Sequence, residues 1–175
     1  PPSEVLEART RFVRLTRSLV KLLSENTADG YGFRVDLRLR PSPSTTPVCM
    51  AMDAAERYYE SVGRTWERAA HIKARPLIEP AAGPAYLDRL APFIWRRHLD
   101  FAALEDVTEM LRKIRSQKGP FPAGSLPGQD IKLGPGGIRE IEFFAQTRQL
   151  ILGGRNPLLR VRPTMDALSA LADAG

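Results

Sequence analysis

The sequence predicts an α+β fold, with a small mixed sheet early in the chain and a predominantly helical part after it. Two observations carry this. Val35, Leu37 and Leu39 alternate with Asp36, Arg38 and Arg40 up to Pro41, the two-residue period of a strand. From Asp53 onward, apolar residues recur at helical spacing between Gly- and Pro-rich breaks. Strands grouped before helices argue for α+β rather than alternating α/β.

Residues 3–25 read as a helix that Ser3 can cap, with Leu6, Val13, Leu15, Leu19, Leu22 and Leu23 on its apolar face. Asp29-Gly30 marks a turn, and the strand follows at 32–40. PSPSTTP (41–47) is a stiff loop, and VCMAM (48–52) has the character of a second short strand. Asp53 can cap a helix that Gly63 ends. Further helices are expected over RTWERAAHIKARPLI, bent or stopped near Pro76, and over 84–99 and 101–117. The linker KGPFPAGSLPGQD (118–130) precedes IKLGPGGIREIEFFAQTRQLILGG (131–154), and a last helix starts near Pro163.

The chain has 175 residues, of which 43% are hydrophobic and 26% charged, ordinary values for a globular domain with a core. One cysteine, Cys49, excludes an internal disulfide and suits a reducing compartment. No apolar run is long enough to span a bilayer, and the N-terminus lacks the pattern of a signal peptide. The absence of an initiator Met makes a piece of a longer chain the expectation. The net charge of +6 is arginine-led and dispersed, which suits phosphate-bearing partners. A nucleic-acid binder would interleave exposed aromatics with this charge, and at 7% aromatic the sequence offers few.

Three stretches carry candidate chemistry. In IKLGPGGIREIEFFAQ, glycines precede a helix whose start favours an anion, flanked by Lys132 and Arg139. Arg139, Glu142, Gln146 and Gln149 share one polar stripe, with Ile138, Ile141 and Ala145 on the neighbouring apolar face. In GRTWERAAHIKARP, Arg64, Arg68, His71 and Arg75 form a basic face, while Lys73 lies beside Trp66, Ala69 and Ala70. A lysine there needs a partner for its ammonium, such as Asp36 or a phosphate. His71 and His98 show no metal-binding spacing. FIWRRHLD sets Arg96 and Arg97 beside aromatic bulk, with Asp100 placed to pair with Arg97. Each stretch also has a plain reading as a glycine turn, a solvated basic face or a locally paired helix end.

Together and in this order, VDLRLRP, YYESVGRTWERAAHIKARP, FIWRRHLD, IKLGPGGIREIEFFAQTRQL and GGRNPLLR resemble the glutamine synthetase adenylyltransferase/adenylyl-removing enzyme family. The resemblance covers roughly residues 30–175. It implies the C-terminal part of a nucleotidyltransferase-type catalytic domain over 1–79 and a helical domain over 80–175. Such proteins hold two nucleotidyltransferase halves in a cytoplasmic enzyme of nitrogen regulation. One half adds AMP from ATP to a tyrosine of glutamine synthetase, and the other removes it by phosphorolysis to ADP. The K-L-G-x-G-G-I-R-E-I-E-F run points to the removing half. Asp36 matches the third of three carboxylates that hold Mg²⁺, the other two coming from an upstream element this chain lacks. The fragment alone is therefore expected to be inactive. Lys73 and Arg75 fall where charge near the reaction would be stabilised. Arg38, Arg40, Lys132, Arg139 and Glu142 are expected to contact phosphate, nucleotide or a protein partner. The implied partners are adenylylated glutamine synthetase, a PII signalling protein, ATP, ADP and phosphate. The rival readings are a non-catalytic helical module that docks glutamine synthetase or PII, and a basic nucleic-acid binder.

Overall fold

The structure, a computed structural model, describes residues 2–77, 82–98, 130–134 and 136–175, together with 105, 106, 108, 109 and 112. The elements are α1 (Pro2–Ser24), α2 (Met52–Ser61), α3 (Thr65–Ile72), α4 (Ala82–Ile94), α5 (Ile138–Leu152), a 3₁₀ turn (Pro157–Leu159) and α6 (Thr164–Asp173). By packing, the chain divides into Pro1–Val62 and Gly63–Gly175. This groups α3 with the later helices, whereas the resemblance divides the chain at 79/80. The helix expected over 101–117 and the linker 118–130 fall mostly outside the described residues.

The described residues are mostly helical and contain no strand, which corrects the α+β expectation for this part of the chain. Both proposed strands are affected. Residues 32–40 run without regular structure, and residues 48–51 are a bend followed by two irregular residues that lead into α2 at Met52. The reason is one of hydrogen bonding. A strand persists where a neighbour takes its backbone groups. Among the described residues, segment 32–40 has backbone bonds from Phe33 N–H to the Leu23 carbonyl (2.7 Å) and from Arg40 N–H to the Arg38 carbonyl (2.9 Å). The turn before it forms as its sequence predicts: Thr27 and Gly30 exchange backbone bonds of 2.8 and 3.1 Å, and Gly30 takes a φ of +97°.

In the first unit, α1 has the expected extent but its burial is rotated. Val13, Thr16, Val20 and Leu23 are half-buried, whereas Leu6, Leu15, Leu19 and Leu22 stay exposed. On α2, Ala55 and Tyr59 are buried one turn apart. Its N-cap is Ala51, and Asp53 sits inside the first turn, where its charge complements the helix dipole instead of capping.

The second unit builds a core. α3 packs on α4 and α5, α5 on α6, and α6 on the 3₁₀ turn. Ala69, Ile72, Leu90, Phe93, Ile94, Ala145, Leu150, Leu159 and Ala167 are buried there. Arg68, expected on a solvated basic face, is instead 1% exposed. Its Nε donates to the carbonyls of Phe93 (3.0 Å) and Ile94 (3.3 Å), and its Nη2 to Ile94 (3.1 Å). A guanidinium is well placed there, because the last carbonyls of α4 lack intrahelical partners and carry the negative end of its dipole. Trp66, expected on a core face, is 43% exposed.

Candidate functional site

Asp36 and Arg38 meet in a closed local pair, without the strand that their alternation predicts. Arg38 Nε lies 3.0 and 2.9 Å from the two Asp36 carboxylate oxygens, and its Nη2 lies 2.6 Å from Oδ2. The Arg38 backbone N–H also donates to Asp36 Oδ1 at 2.9 Å, an Asx-type turn. The Arg38 side-chain bonds, followed by this backbone bond, lower the Asp36 carboxyl from 3.8 to about 2. The same contact raises the Arg38 guanidinium. Asp36 is thus an ionised, solvent-reached carboxylate at neutral pH. Arg40 turns the other way and organises its own loop. Its Nη1 donates to the Leu37 carbonyl (2.5 Å) and its Nη2 to that of Pro43 (2.7 Å). The loop it holds includes Ser42, at a φ of +41°.

Mg²⁺ needs several hard oxygen ligands, commonly one or two carboxylates completed by water and substrate phosphates. Among the described residues no group of three or more His, Cys, Asp or Glu could hold a metal ion. Asp36 is chemically suited to be one ligand. Among the described residues this donor set does not by itself make a metal centre.

The second unit brings together Lys73 and Glu142, from two separate motifs. Lys73 is the C-cap of α3. Its Nζ donates to Glu142 Oε1 on α5 at 2.7 Å and to Thr164 Oγ1, at the start of α6, at 2.8 Å. This is the partner that a lysine at that position requires, and it ties three helices at one point. Both ends of the ion pair are more than a third exposed, so screening limits its worth to under about 1 kcal/mol. Thr164 was missed by sequence reasoning, because nothing in its spacing links it to residues 73 or 142. Arg75 lies exposed three residues beyond the end of α3. His71 is a packed histidine: its Nδ1 lies 2.7 Å from the Glu67 carbonyl, and its ring meets Phe93 edge-on.

The glycine-rich start of α5 folds back on its own loop. Gly136 has a φ of +69°, and a Cβ at Gly137 would come within 2.5 Å of the Ile131 carbonyl. Ile138 N–H donates to Ile131 (2.9 Å), Arg139 N–H to Lys132 (3.0 Å) and Glu140 N–H to Gly137 (3.0 Å). The first amides of α5 are therefore spent on carbonyls of the preceding loop. The side chains of Lys132 and Arg139, both exposed, are the cations this motif presents. Arg139 lies 5.6 Å from the Phe143 ring.

Along α5 the expected polar stripe runs from exposed Arg139 through half-buried Glu142 and Gln146 to buried Gln149. Gln149 is 2% exposed, and its Nε2 donates to the carbonyls of Leu159 (2.6 Å) and Val161 (2.7 Å). Of the expected apolar face, Ala145 is buried, whereas Ile138 and Ile141 are exposed. The buried amide pins the loop after α5, which spacing alone does not reveal.

A profile of the family described as Glutamate-ammonia ligase adenylyltransferase matches residues 2–89, and one described as GlnD PII-uridylyltransferase matches residues 98–175. The chain is 56% identical, over 97% of its length, to a bifunctional glutamine synthetase adenylyltransferase/adenylyl-removing enzyme of Bradyrhizobium diazoefficiens, covering 17% of that relative. It is 55% identical to the protein of the same name from Rhodopseudomonas palustris strain TIE-1, over 95% of this chain and 17% of the relative. The corresponding protein of Caulobacter vibrioides is 57% identical over 100% of this chain and 18% of its own length. The chain thus spans less than a fifth of the relatives it matches.

Proposed function

This chain belongs to the glutamate-ammonia ligase adenylyltransferase family, and on that premise we propose that it is the later portion of the deadenylylating half of a bifunctional enzyme acting on glutamine synthetase. The observation that carries the reading is the K-L-G-P-G-G-I-R-E-I-E-F run within a similarity to adenylyltransferase/adenylyl-removing enzymes that covers 97% of this chain and 17% of the relative. In the longer cytoplasmic protein, segment 32–40 is a strand of a nucleotidyltransferase sheet whose other strands come from the rest of the chain. Asp36 contributes one carboxylate for Mg²⁺, and the remaining carboxylates lie outside these 175 residues.

The reaction is phosphorolysis. An orthophosphate oxygen bonds to the phosphorus of the AMP–tyrosine phosphodiester, and the bond from that phosphorus to the tyrosine oxygen breaks. ADP leaves, and the tyrosine oxygen takes a proton. The other half of the protein adds AMP from ATP. Bound Mg²⁺ would offset phosphate charge, a role that its family assigns to clustered carboxylates. In this chain Arg38 engages both oxygens of the Asp36 carboxylate, which a bound metal would have to share. Lys73 and Glu142 set the end of α3, so Arg75 follows from a fixed point. Arg40, Lys132 and Arg139 complete the set of basic and polar contacts proposed for phosphate, nucleotide or the protein partner.

A chain extended to the full length of its relatives should release ADP from adenylylated glutamine synthetase with orthophosphate and Mg²⁺. Asp36→Asn should abolish that release while leaving the thermal unfolding midpoint in place. A near-normal rate in this variant would refute the role of Asp36. AMP transfer from ATP without ADP release would place the chain in the other half. A second reading, a helical docking module for glutamine synthetase or PII, is favoured by the self-contained packing of Gly63–Gly175. Binding without turnover in the full-length protein would support it.

A further inference from the structure

Two arginine-rich stretches that the chemistry above leaves unused, 95–97 and 153–160, meet in the second unit. Gly153 and Gly154 make the approach close. A Cβ at Gly153 would lie 2.8 Å from the Trp95 ring, and one at Gly154 would overlap the Arg96 carbonyl and lie 3.0 Å from the Arg97 Cα. Arg155 Nε donates to the Arg97 carbonyl at 3.1 Å. Arg160 Nε donates to the Gly153 carbonyl at 2.7 Å, and its guanidinium sits 5.5 Å from the Trp95 ring centre. The backbones of Arg96 and Arg97 and the side chains of Arg155 and Arg160 therefore meet at one junction. Among the described residues none of the four forms an ion pair. Between Arg155 and Arg160 the 3₁₀ turn is held by the Asn156 side chain, which accepts from Leu158 N–H at 3.1 Å. That turn presents Leu158 at 80% exposure.

This combination has the character of a protein-docking surface. Arginines on a rigid frame give charge-assisted, forked contacts to carboxylates, and an apolar side chain among them supplies an anchor. A nucleotide or free phosphate would use the guanidiniums and leave Leu158 in water. We propose that the 95–97/153–160 junction docks an acidic surface of the protein substrate, with Arg97 and Arg155 meeting carboxylates and Leu158 seating in an apolar notch. The proposal rests on the reading that this substrate is glutamine synthetase.

The test uses the full-length protein and adenylylated glutamine synthetase, measuring both binding and ADP release. Arg97→Glu and Leu158→Ser are the informative variants, because both side chains are exposed. Arg160 is left intact because it holds the junction together. Arg97→Glu should weaken binding about tenfold or more, and Leu158→Ser by a smaller factor. Arg97→Lys, which keeps the charge but not the forked contact, should restore part of the loss, binding should weaken with added salt, and the unfolding midpoints should stay at the wild-type value. If both variants bind as wild type while ADP is released, the docking surface is elsewhere and only this inference falls. If wild type binds but makes no ADP, and the variants lose binding, the surface stands and the deadenylylase reading falls. Equal, salt-sensitive binding of duplex DNA by wild type, without binding to glutamine synthetase, would overturn the proposal in favour of a nucleic-acid face.

Discussion

Two arginine-rich regions of this chain use the same side chain in opposite ways. Around residues 36–46 the guanidiniums turn to partners close in sequence: Arg38 to Asp36, and Arg40 to Leu37, Pro43 and Thr46. At the 95–97/153–160 junction, Arg155 reaches across 58 positions to the Arg97 carbonyl. The first pattern shapes a loop and asks nothing of the rest of the protein. The second fixes where two distant segments sit, and so helps define a compact unit. The difference separates a segment whose proposed role needs more of the longer protein from a surface that is already assembled.

The largest way to break the distant junction is Gly154→Ala. The new methyl would press on the Arg96 backbone, which cannot move aside as a flexible side chain would. A loss of about 3 kcal/mol is expected, read from the denaturant midpoint of unfolding. An unchanged midpoint would mean that the junction is looser than its geometry implies. Next is Gln149→Leu, which leaves the Leu159 and Val161 carbonyls without the buried amide. This should cost about 2 kcal/mol on the same measurement, and the arginines of the following loop should lose their fixed placement.

The smallest effect belongs to the local pair. Because the Asp36 carboxyl is held at about 2 in the folded protein, against 3.8 ordinarily, the pair's contribution is complete above pH 3.8 and is lost as pH falls through 2. Arg38→Met should return the Asp36 carboxyl toward its ordinary range in an NMR titration and flatten the dependence of stability within that window. A carboxyl that still titrates near 2 in this variant would show that Arg38 is not the cause.

Much of the helical fold was legible from periodicity and breakers. The extent of α1, the turn at Gly30, the stop before Pro76 and the start of the last helix after Pro163 all follow from local rules. The face each helix buries was harder to read. On α3 and α5 the inward positions include Arg68 and Gln149, whose long polar side chains cap carbonyls of other elements. An apolar-inside rule misses them because their partners are distant in sequence. Segment 32–40 is not a strand in this chain for a related reason: alternation describes a strand's two faces but does not supply the neighbour that bonds its edges. For the site, that Asp36 and Arg38 sit close together was legible, but their pairing through a local turn rather than on a strand face was not. The meeting of Lys73 with Glu142 and Thr164 depends on how three helices pack, and it was not.

The central claim is that segment 32–40 becomes a strand, and Asp36 part of a site, within the longer protein. Amide hydrogen exchange at residues 33–39 tests it most directly, comparing this 175-residue chain with one extended to the full length of its relatives. The account predicts fast exchange across these amides in the short chain and strong protection at alternate or successive positions in the long one. Equally fast exchange in both chains, with both folded, would contradict it.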